Sequence, residues 1–176
     1  MNPGLEIQTI GHSTRSAEVF LALLQAHGVG QVADIRTVPK SRRHPHFNGD
    51  ALASFLGLHG IGYRHFAALG GLRKPKPDSV NTAWRHPGFR GYAGHMQSEE
   101  FRQGLENLLS FASESPSVIM CAEAVWWRCH RQLLSDALLA RGVPVRHILT
   151  LEPPKPHHLS EFAKIDHGAV TYPGLV

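Results

Sequence analysis

The chain has 176 residues, 42% of them apolar, and a formal net charge of +4 with 13 histidines besides. That length suits a single domain over residues 1–176, and a chain of about 150 residues buries roughly 70% of its unfolded surface, so no disulfide or metal staple is needed. Only Cys121 and Cys129 occur and no long apolar run exists, which excludes a disulfide scaffold and a membrane-spanning helix. Met1-Asn-Pro-Gly-Leu-Glu lacks the basic and apolar regions of a secretion signal. The expectation is a reduced, cytoplasmic protein with two free thiols, no membrane association, and a mild preference for anionic partners.

Ile7 to Ile10 form a short apolar strand that stops at Gly11-His-Ser-Thr. A helix follows from about Ser16, which serves as N-cap, with Glu18 in the first turn and Val19, Phe20, Leu23 and Leu24 as its apolar face. Gln31 to Ile35 is the next strand, and it runs into a basic loop from Arg36 to Phe47. A second helix is predicted over Gly49 to His59 and a third strand over Tyr63 to Leu69. Gly70-Gly-Leu-Arg-Lys-Pro-Lys-Pro breaks regular structure, and about 70–95 is expected to be irregular, a length that loops reach when they are functional or mobile. Ser98 caps a third helix in which Phe101, Leu105, Leu108 and Ala112 repeat at helical spacing. Ser117 to Cys121 is the clearest buried strand, Arg131 to Ala140 the last helix, and Val143 to Leu149 the last strand. The proline-rich tail, about 153–176, reads as irregular.

Strands separated by helices predict an α/β fold, a mainly parallel sheet with helices on both faces. Ligands of such sheets bind beyond the C-terminal strand ends. Gly11-His-Ser-Thr, Asp34-Ile-Arg and Cys121-Ala-Glu each follow a predicted strand directly, so a parallel sheet gathers all three at one edge.

Cys129 lies at the start of a helix beside Arg128, His130 and Arg131, where cations and the helix dipole favour a nucleophilic thiolate. Cys121 ends a buried strand and reads equally as a packed core residue. The spacing of the two cysteines is not that of a Cys-x-x-Cys redox pair, Arg128 falls one residue late for a phosphatase-type Cys-x5-Arg loop, and Cys121-x7-Cys129-His130 matches no standard zinc spacing. No metal site and no cofactor are therefore expected. Glu123, close to both thiols, is either a general base or the partner of Arg128 or Arg131. The loop holding Arg36, Lys40, Ser41, Arg42 and Arg43 has no acidic residue and suits phosphate. Gly11, Ser13 and Thr14 form a candidate anion nest, without the full dinucleotide fingerprint, and His12 is an acid–base group or a turn donor. Asp34 is placed to fix Arg36. Aromatics interleave with bases at Tyr63-Arg-His-Phe, Trp84 to Tyr92 and Trp126-Trp-Arg, a pattern that suits stacked nucleobases as well as plain packing.

Thr9-Ile-Gly-His-Ser-Thr, Asp34-Ile-Arg-x-x-Pro-x-Ser-Arg, Leu69-Gly-Gly-Leu-Arg and Cys121-Ala-Glu-x5-Cys129-His-Arg, in that order, resemble the bacterial family called domain of unknown function 488. The resemblance spans roughly Thr9 to Ile148 and implies an α/β fold and a small cytosolic protein. It brings no reaction with it.

The residues themselves suggest a hydrolase or transferase acting on a phosphate-bearing substrate, a nucleotide or nucleic acid. Cys129 or Glu123 would do the chemistry with His12 or His130, and Arg36, Arg42 and Arg131 would hold the anion. A non-catalytic nucleic-acid-binding module using the same basic loop is the alternative. In a third reading, Asp34, Glu123 and the arginines are paired ions that hold the strand ends together.

Overall fold

The computed structural model describes residues 4–174, so the start of the N-terminal stretch and the last two residues of the tail lie outside the described residues. Short apolar runs in the sequence become the strands β1 (Ile7–Gly11), β2 (Gln31–Asp34), β3 (Gly62–His65), β4 (Ser117–Cys121) and β5 (Val145–His147). The amphipathic stretches become α1 (Ala17–Ala26), α2 (Gly49–Gly57), α3 (Pro87–His95), α4 (Glu99–Ala112) and α5 (Arg131–Ala140). Two more elements lie in the tail: β6 (Lys155–Pro156), and the antiparallel pair β7 (Lys164–Asp166) and β8 (Ala169–Thr171).

The main sheet has the order β3-β2-β4-β1-β5-β6. Its first five strands are mutually parallel, and β6 closes the edge antiparallel to β5. Period-two alternation divides each central strand between two apolar layers. Ile10, Val32, Val118 and Met120 pack with Phe20, Leu24, Leu52 and Leu56 of α1 and α2. Ile7, Ala33, Ile119 and Val145 pack with side chains of α3, α4 and α5, among them Tyr92, Leu105 and Leu134. Helices thus cover both faces, as the α/β reading expected.

This topology fixes where a ligand binds. Neighbouring β1 and β4 pair from Ile7–Ser117 to Gly11–Cys121. The chain leaves β1 for α1 on one face and leaves β4 for α5 on the other. Adjacent strands whose connections diverge in this way open a crevice at their carboxyl ends.

Some boundaries differ from the sequence reading for identifiable reasons. Ser16 caps α1, its hydroxyl accepting from Val19 N–H at 3.1 Å, but Val19 is exposed and Leu21 is buried in its place. The third strand ends at His65, and Ala67–Leu69 is a single 3-10 turn. The segment 70–95 is not irregular throughout, because α3 occupies its end. Glycine-rich sequence disfavours helix. Here Pro87 starts the helix, the His86 ring accepts from Gly88 N–H at 3.1 Å, and a Cβ on Gly91 would lie 2.1 Å from the Arg73 carbonyl oxygen. Close packing therefore requires the glycine that weakens the helical signal. The tail is likewise ordered through its strands, with His157, Val170 and Tyr172 buried.

Candidate functional site

The three motifs read from the sequence end on neighbouring strands, β2, β4 and β1. The ladder continues past them: His12 N–H donates to the Cys121 carbonyl at 2.9 Å, Ser13 N–H to Ala122 at 3.0 Å, and Ile35 N–H to Met120 at 3.0 Å. Above these ends lies a cavity of about 490 Å³ bounded by His12, Arg36, Cys121, Glu123, Cys129 and His130. Lys40 and Arg128 bring exposed cations to it, and Val38, Leu72 and Phe89 form an apolar side.

The two cysteines meet at its floor. Their sulfurs are 3.0 Å apart, so the fold brings together a pair that lacks a redox motif's spacing. Arg131 is fully buried beneath them. Its Nε is 3.0 Å from Cys121 Sγ and 3.3 Å from Cys129 Sγ, its Nη1 donates to Thr9 Oγ1 at 3.1 Å, and its Nη2 donates to the Glu123 carbonyl at 2.6 Å. Among the described residues no carboxylate forms an ion pair with this guanidinium. An uncompensated buried charge costs several kcal/mol, and the only direct contacts of Arg131 able to carry negative charge are the sulfurs.

The cysteines answer that demand unequally. Burial pushes the Cys121 thiol up, and neighbouring Cys129 pushes it further. Burial also opposes ionisation of Cys129, but the Cys121 thiol, His130 and Arg131 outweigh it and hold Cys129 well below the usual thiol range. The start of α5 contributes too, since His130 offers no side-chain cap and Arg131 N–H points at Cys129 Sγ at 3.3 Å. The sulfur stands where an N-cap acceptor would, at the positive end of the helix. Of the two, Cys129 is thus the sulfur that ionises more readily and Cys121 the one that more readily keeps its proton.

The other expected residues take clearer roles. Arg36 and Asp34 form a buried bidentate pair, Nε–Oδ1 at 2.9 Å and Nη2–Oδ2 at 2.7 Å. Tyr63 donates to Asp34 Oδ2 at 2.5 Å, so Asp34 fixes Arg36 and the charge of Arg36 is compensated locally. Burial pushes His12 down to about 4, leaving it neutral. Its Nε2 faces Arg36 Nη1 at 3.4 Å, so Nδ1 carries the hydrogen and donates to the Ser13 carbonyl at 2.9 Å. Because carbonyls occupy the His12 and Ser13 amides, the Gly11 turn offers the cavity a ring instead of an amide nest. His130 Nε2 donates to the Ile35 carbonyl at 2.8 Å, tying the start of α5 to the end of β2. The Glu123 carboxylate pairs with neither Arg128 nor Arg131 but stays exposed at the cavity edge, accepting from Ala124 N–H at 3.1 Å. Ser13, Thr14, Ser41, Arg42 and Arg43 border a shallower adjoining depression of about 480 Å³, which also touches Glu123.

Gly11 is where the parts interlock: a Cβ there would stand 1.7 Å from the Glu123 carbonyl oxygen and 2.9 Å from Arg131 Nη2. Most of the aromatics prove to be packing. Trp84 meets Phe89, Phe162 and Tyr172 edge-on, Trp126 stacks on His147 at 4.1 Å, and Trp127 is the exposed one of the three tryptophans.

The sequence reading missed a buried network behind Arg131. Thr9 Oγ1 and His147 Nδ1 are 2.6 Å apart, His147 Nε2 and His157 Nδ1 2.8 Å, and His157 Nε2 and Asp136 Oδ1 2.8 Å. Ser160 and Tyr172 also donate to Asp136 Oδ2, at 2.6 and 2.7 Å. One signal was visible, an acid amid Leu133, Leu134, Ala137 and Leu138 on an apolar helix.

Among the described residues, no group of three or more His, Cys, Asp or Glu side chains is arranged to hold a metal ion, and no helix is long and apolar enough to cross a membrane. A family model described as Domain of unknown function DUF488 matches residues 16–138. No curated protein and no solved structure matches the chain.

Proposed function

The chain belongs to the DUF488 family, whose description assigns no activity, and we propose that it is a thiol-dependent hydrolase or transferase acting on a phosphate-bearing substrate, a nucleotide or nucleic acid. The observation that carries this reading is the buried Arg131 guanidinium, which contacts two sulfurs and no carboxylate. That arrangement favours a standing thiolate at Cys129, on the wall of an open cavity. Lys40 and Arg128 would hold the phosphate at the rim, with Arg42 and Arg43 extending the positive surface. Val38, Leu72 and Phe89 would take the apolar part of the substrate.

In this reading Cys129 Sγ attacks the electrophilic centre, the bond to the leaving group breaks, and that group takes a proton from solvent water, while the Glu123 carboxylate stands ready as the base for the second step. Glu123 then draws a proton from water, or from an acceptor alcohol, which displaces the sulfur. His12 and His130 keep the floor in place through their carbonyl hydrogen bonds. A reduced cytoplasmic setting, where such a thiol persists, is part of the proposal.

The test is to soak crystals of the Cys129→Ser protein with inorganic phosphate, then with a nucleoside monophosphate. Density for the phosphate between Lys40 and Arg128 is the expected result, and a cavity empty under both soaks overturns the reading. The exposed Arg42, Arg43 and Trp127 favour the second reading, a nucleic-acid-binding module without chemistry. Steeply salt-dependent binding of single strands, unchanged in Cys129→Ser and without thiol reactivity above that of free cysteine, would favour it.

A further inference from the structure

Attack on a phosphate-bearing substrate uses one sulfur, with Cys121 serving only as a hydrogen-bond donor to it, whereas the 3.0 Å separation of Cys121 and Cys129 also brings the two sulfurs close to bonding distance. A disulfide bond is about 2.05 Å long, so closing the gap takes a shift of about 1 Å. Cys129 is well placed to make that shift. It lies between the 3-10 turn Trp126–Arg128 and α5, in extended backbone with no ladder partner, whereas Cys121 is fixed at the end of the central strand β4. Cys129 lines the open cavity, whose volume of about 490 Å³ admits a small oxidant. Cys121 lies behind it with its sulfur against Arg131.

We propose that Cys121 and Cys129 are a two-electron redox pair that reduces hydroperoxides, with Cys129 as the attacking sulfur and Cys121 as the resolving one. This second activity shares Cys129 with the reading above but does not depend on its anion. Cys129 sulfur attacks the distal oxygen of the hydroperoxide. An S–O bond forms, the O–O bond breaks, and the alkoxide takes from solvent the proton that Cys129 released on ionising and leaves as alcohol, or as water if the oxidant is hydrogen peroxide. Cys121 sulfur then attacks the sulfur of the Cys129 sulfenic acid. The S–S bond forms, the S–O bond breaks, and hydroxide leaves with the Cys121 proton as water. Two thiols and one hydroperoxide give one disulfide, one alcohol and one water. A dithiol reductant restores the pair by exchange. While the disulfide stands, Cys129 is unavailable as a nucleophile, so peroxide also switches off any thiol chemistry in the cavity.

The test treats the whole protein with stoichiometric hydrogen peroxide, alkylates it with iodoacetamide under denaturing conditions, and maps the peptides. The expected result is a single intrachain Cys121–Cys129 link, the loss of both alkylation sites, and full recovery with dithiothreitol. Cys121→Ser is expected to stop at a sulfenic acid that dimedone traps on Cys129, and Cys129→Ser to leave Cys121 unoxidised on the same timescale. The proposal is overturned if both thiols of the native protein still alkylate, if the only disulfide joins two chains, or if Cys121 oxidises as fast without Cys129. The peptide map of the unmodified protein decides the matter even where a serine variant folds poorly. An intrachain link in a protein that binds no phosphate would remove the phosphate reading and leave this one standing, and the converse result would do the reverse.

Discussion

Arg131 and Asp136 share α5 and are both fully buried, yet they are joined through three residues from other elements. The direction of the chain follows from its ends. Arg131 can only donate, so Thr9 Oγ1 accepts from it and gives its own hydrogen to His147 Nδ1. His147 Nε2 then donates to His157 Nδ1, and His157 Nε2 to the Asp136 carboxylate. Every bond points from the buried cation to the buried anion.

Removing the anion should be felt along the whole chain. Asp136 accepts from His157, Ser160 and Tyr172, and Asp136→Asn replaces an acceptor oxygen with a donor nitrogen. We expect a loss of about 3–5 kcal/mol, the range for breaking a buried charged network, read by urea unfolding. Tyr172→Phe removes one hydrogen bond to the same carboxylate and should cost about 1.5–3 kcal/mol. Equal losses in the two variants would show that the carboxylate is not the anchor.

Thiolate character at Cys129 should depend on Arg131. In Arg131→Met the sulfurs lose their cation, and iodoacetamide labelling of Cys129 at neutral pH should slow by about tenfold or more, one pKa unit being a factor of ten. In the unsubstituted protein the labelling rate of Cys129 should already be high well below the usual thiol titration, because its thiol is held low. Cys121 should label far more slowly, because burial pushes its thiol up. Equal labelling of the two cysteines at every pH would contradict the assignment.

Stability should fall as pH drops below the ordinary histidine range. Burial pushes His12 down to about 4, and burial together with His157 and Arg131 pushes His147 down to about 2. Between the unfolded value of 6.5 and pH 4 the unfolded chain binds protons at these sites while the native protein does not. The stability they contribute is therefore present above about 6.5 and is lost on acidification. Each group adds a slope of up to about 1.4 kcal/mol per pH unit in that window. Thermal melts from pH 7 to pH 4 should show the decline, and His12→Asn should flatten it.

Gly11→Ala should separate the two halves of the crevice. The new methyl would meet the Glu123 carbonyl oxygen at 1.7 Å, so the β1 end, the Cys121–Glu123 turn or Arg131 has to move. A lower melting temperature with slower Cys129 labelling is expected, and a variant unchanged in both would refute the close approach seen here.

Much of this was legible in the sequence because the signals were local. The span of β4 from Ser117 to Cys121 and that of α5 from Arg131 to Ala140 follow from an apolar run and a helical stripe. The gathering of His12, Asp34, Arg36 and Cys121 at one edge follows from parallel topology alone. What stayed hidden depends on contacts between distant residues. No sequence spacing could bring the cysteine sulfurs to 3.0 Å. Nor could a proline-rich tail announce that Lys164–Asp166 and Ala169–Thr171 pair around a turn in which His167 and Gly168 take positive φ angles of 49° and 80°. The tail histidine that receives the His147 hydrogen bond was invisible for the same reason, and Glu123 looked paired with an arginine because the sequence shows charge but not that Arg131 takes the backbone carbonyl.

The strand order also bears on how the protein can be divided. β1 lies between β4 and β5, and the segment matching the family model begins only at residue 16. A fragment trimmed to residues 16–138 would keep both cysteines and Arg131. It would also lose the strand that pairs with β4 along Ile7–Gly11, and Thr9, His147 and Asp136's partners His157, Ser160 and Tyr172 would go with it. Such a fragment would present an unpaired strand edge to solvent and leave Arg131 facing the gap, a combination prone to aggregate. The smallest piece worth expressing therefore runs from before Ile7 to beyond Tyr172.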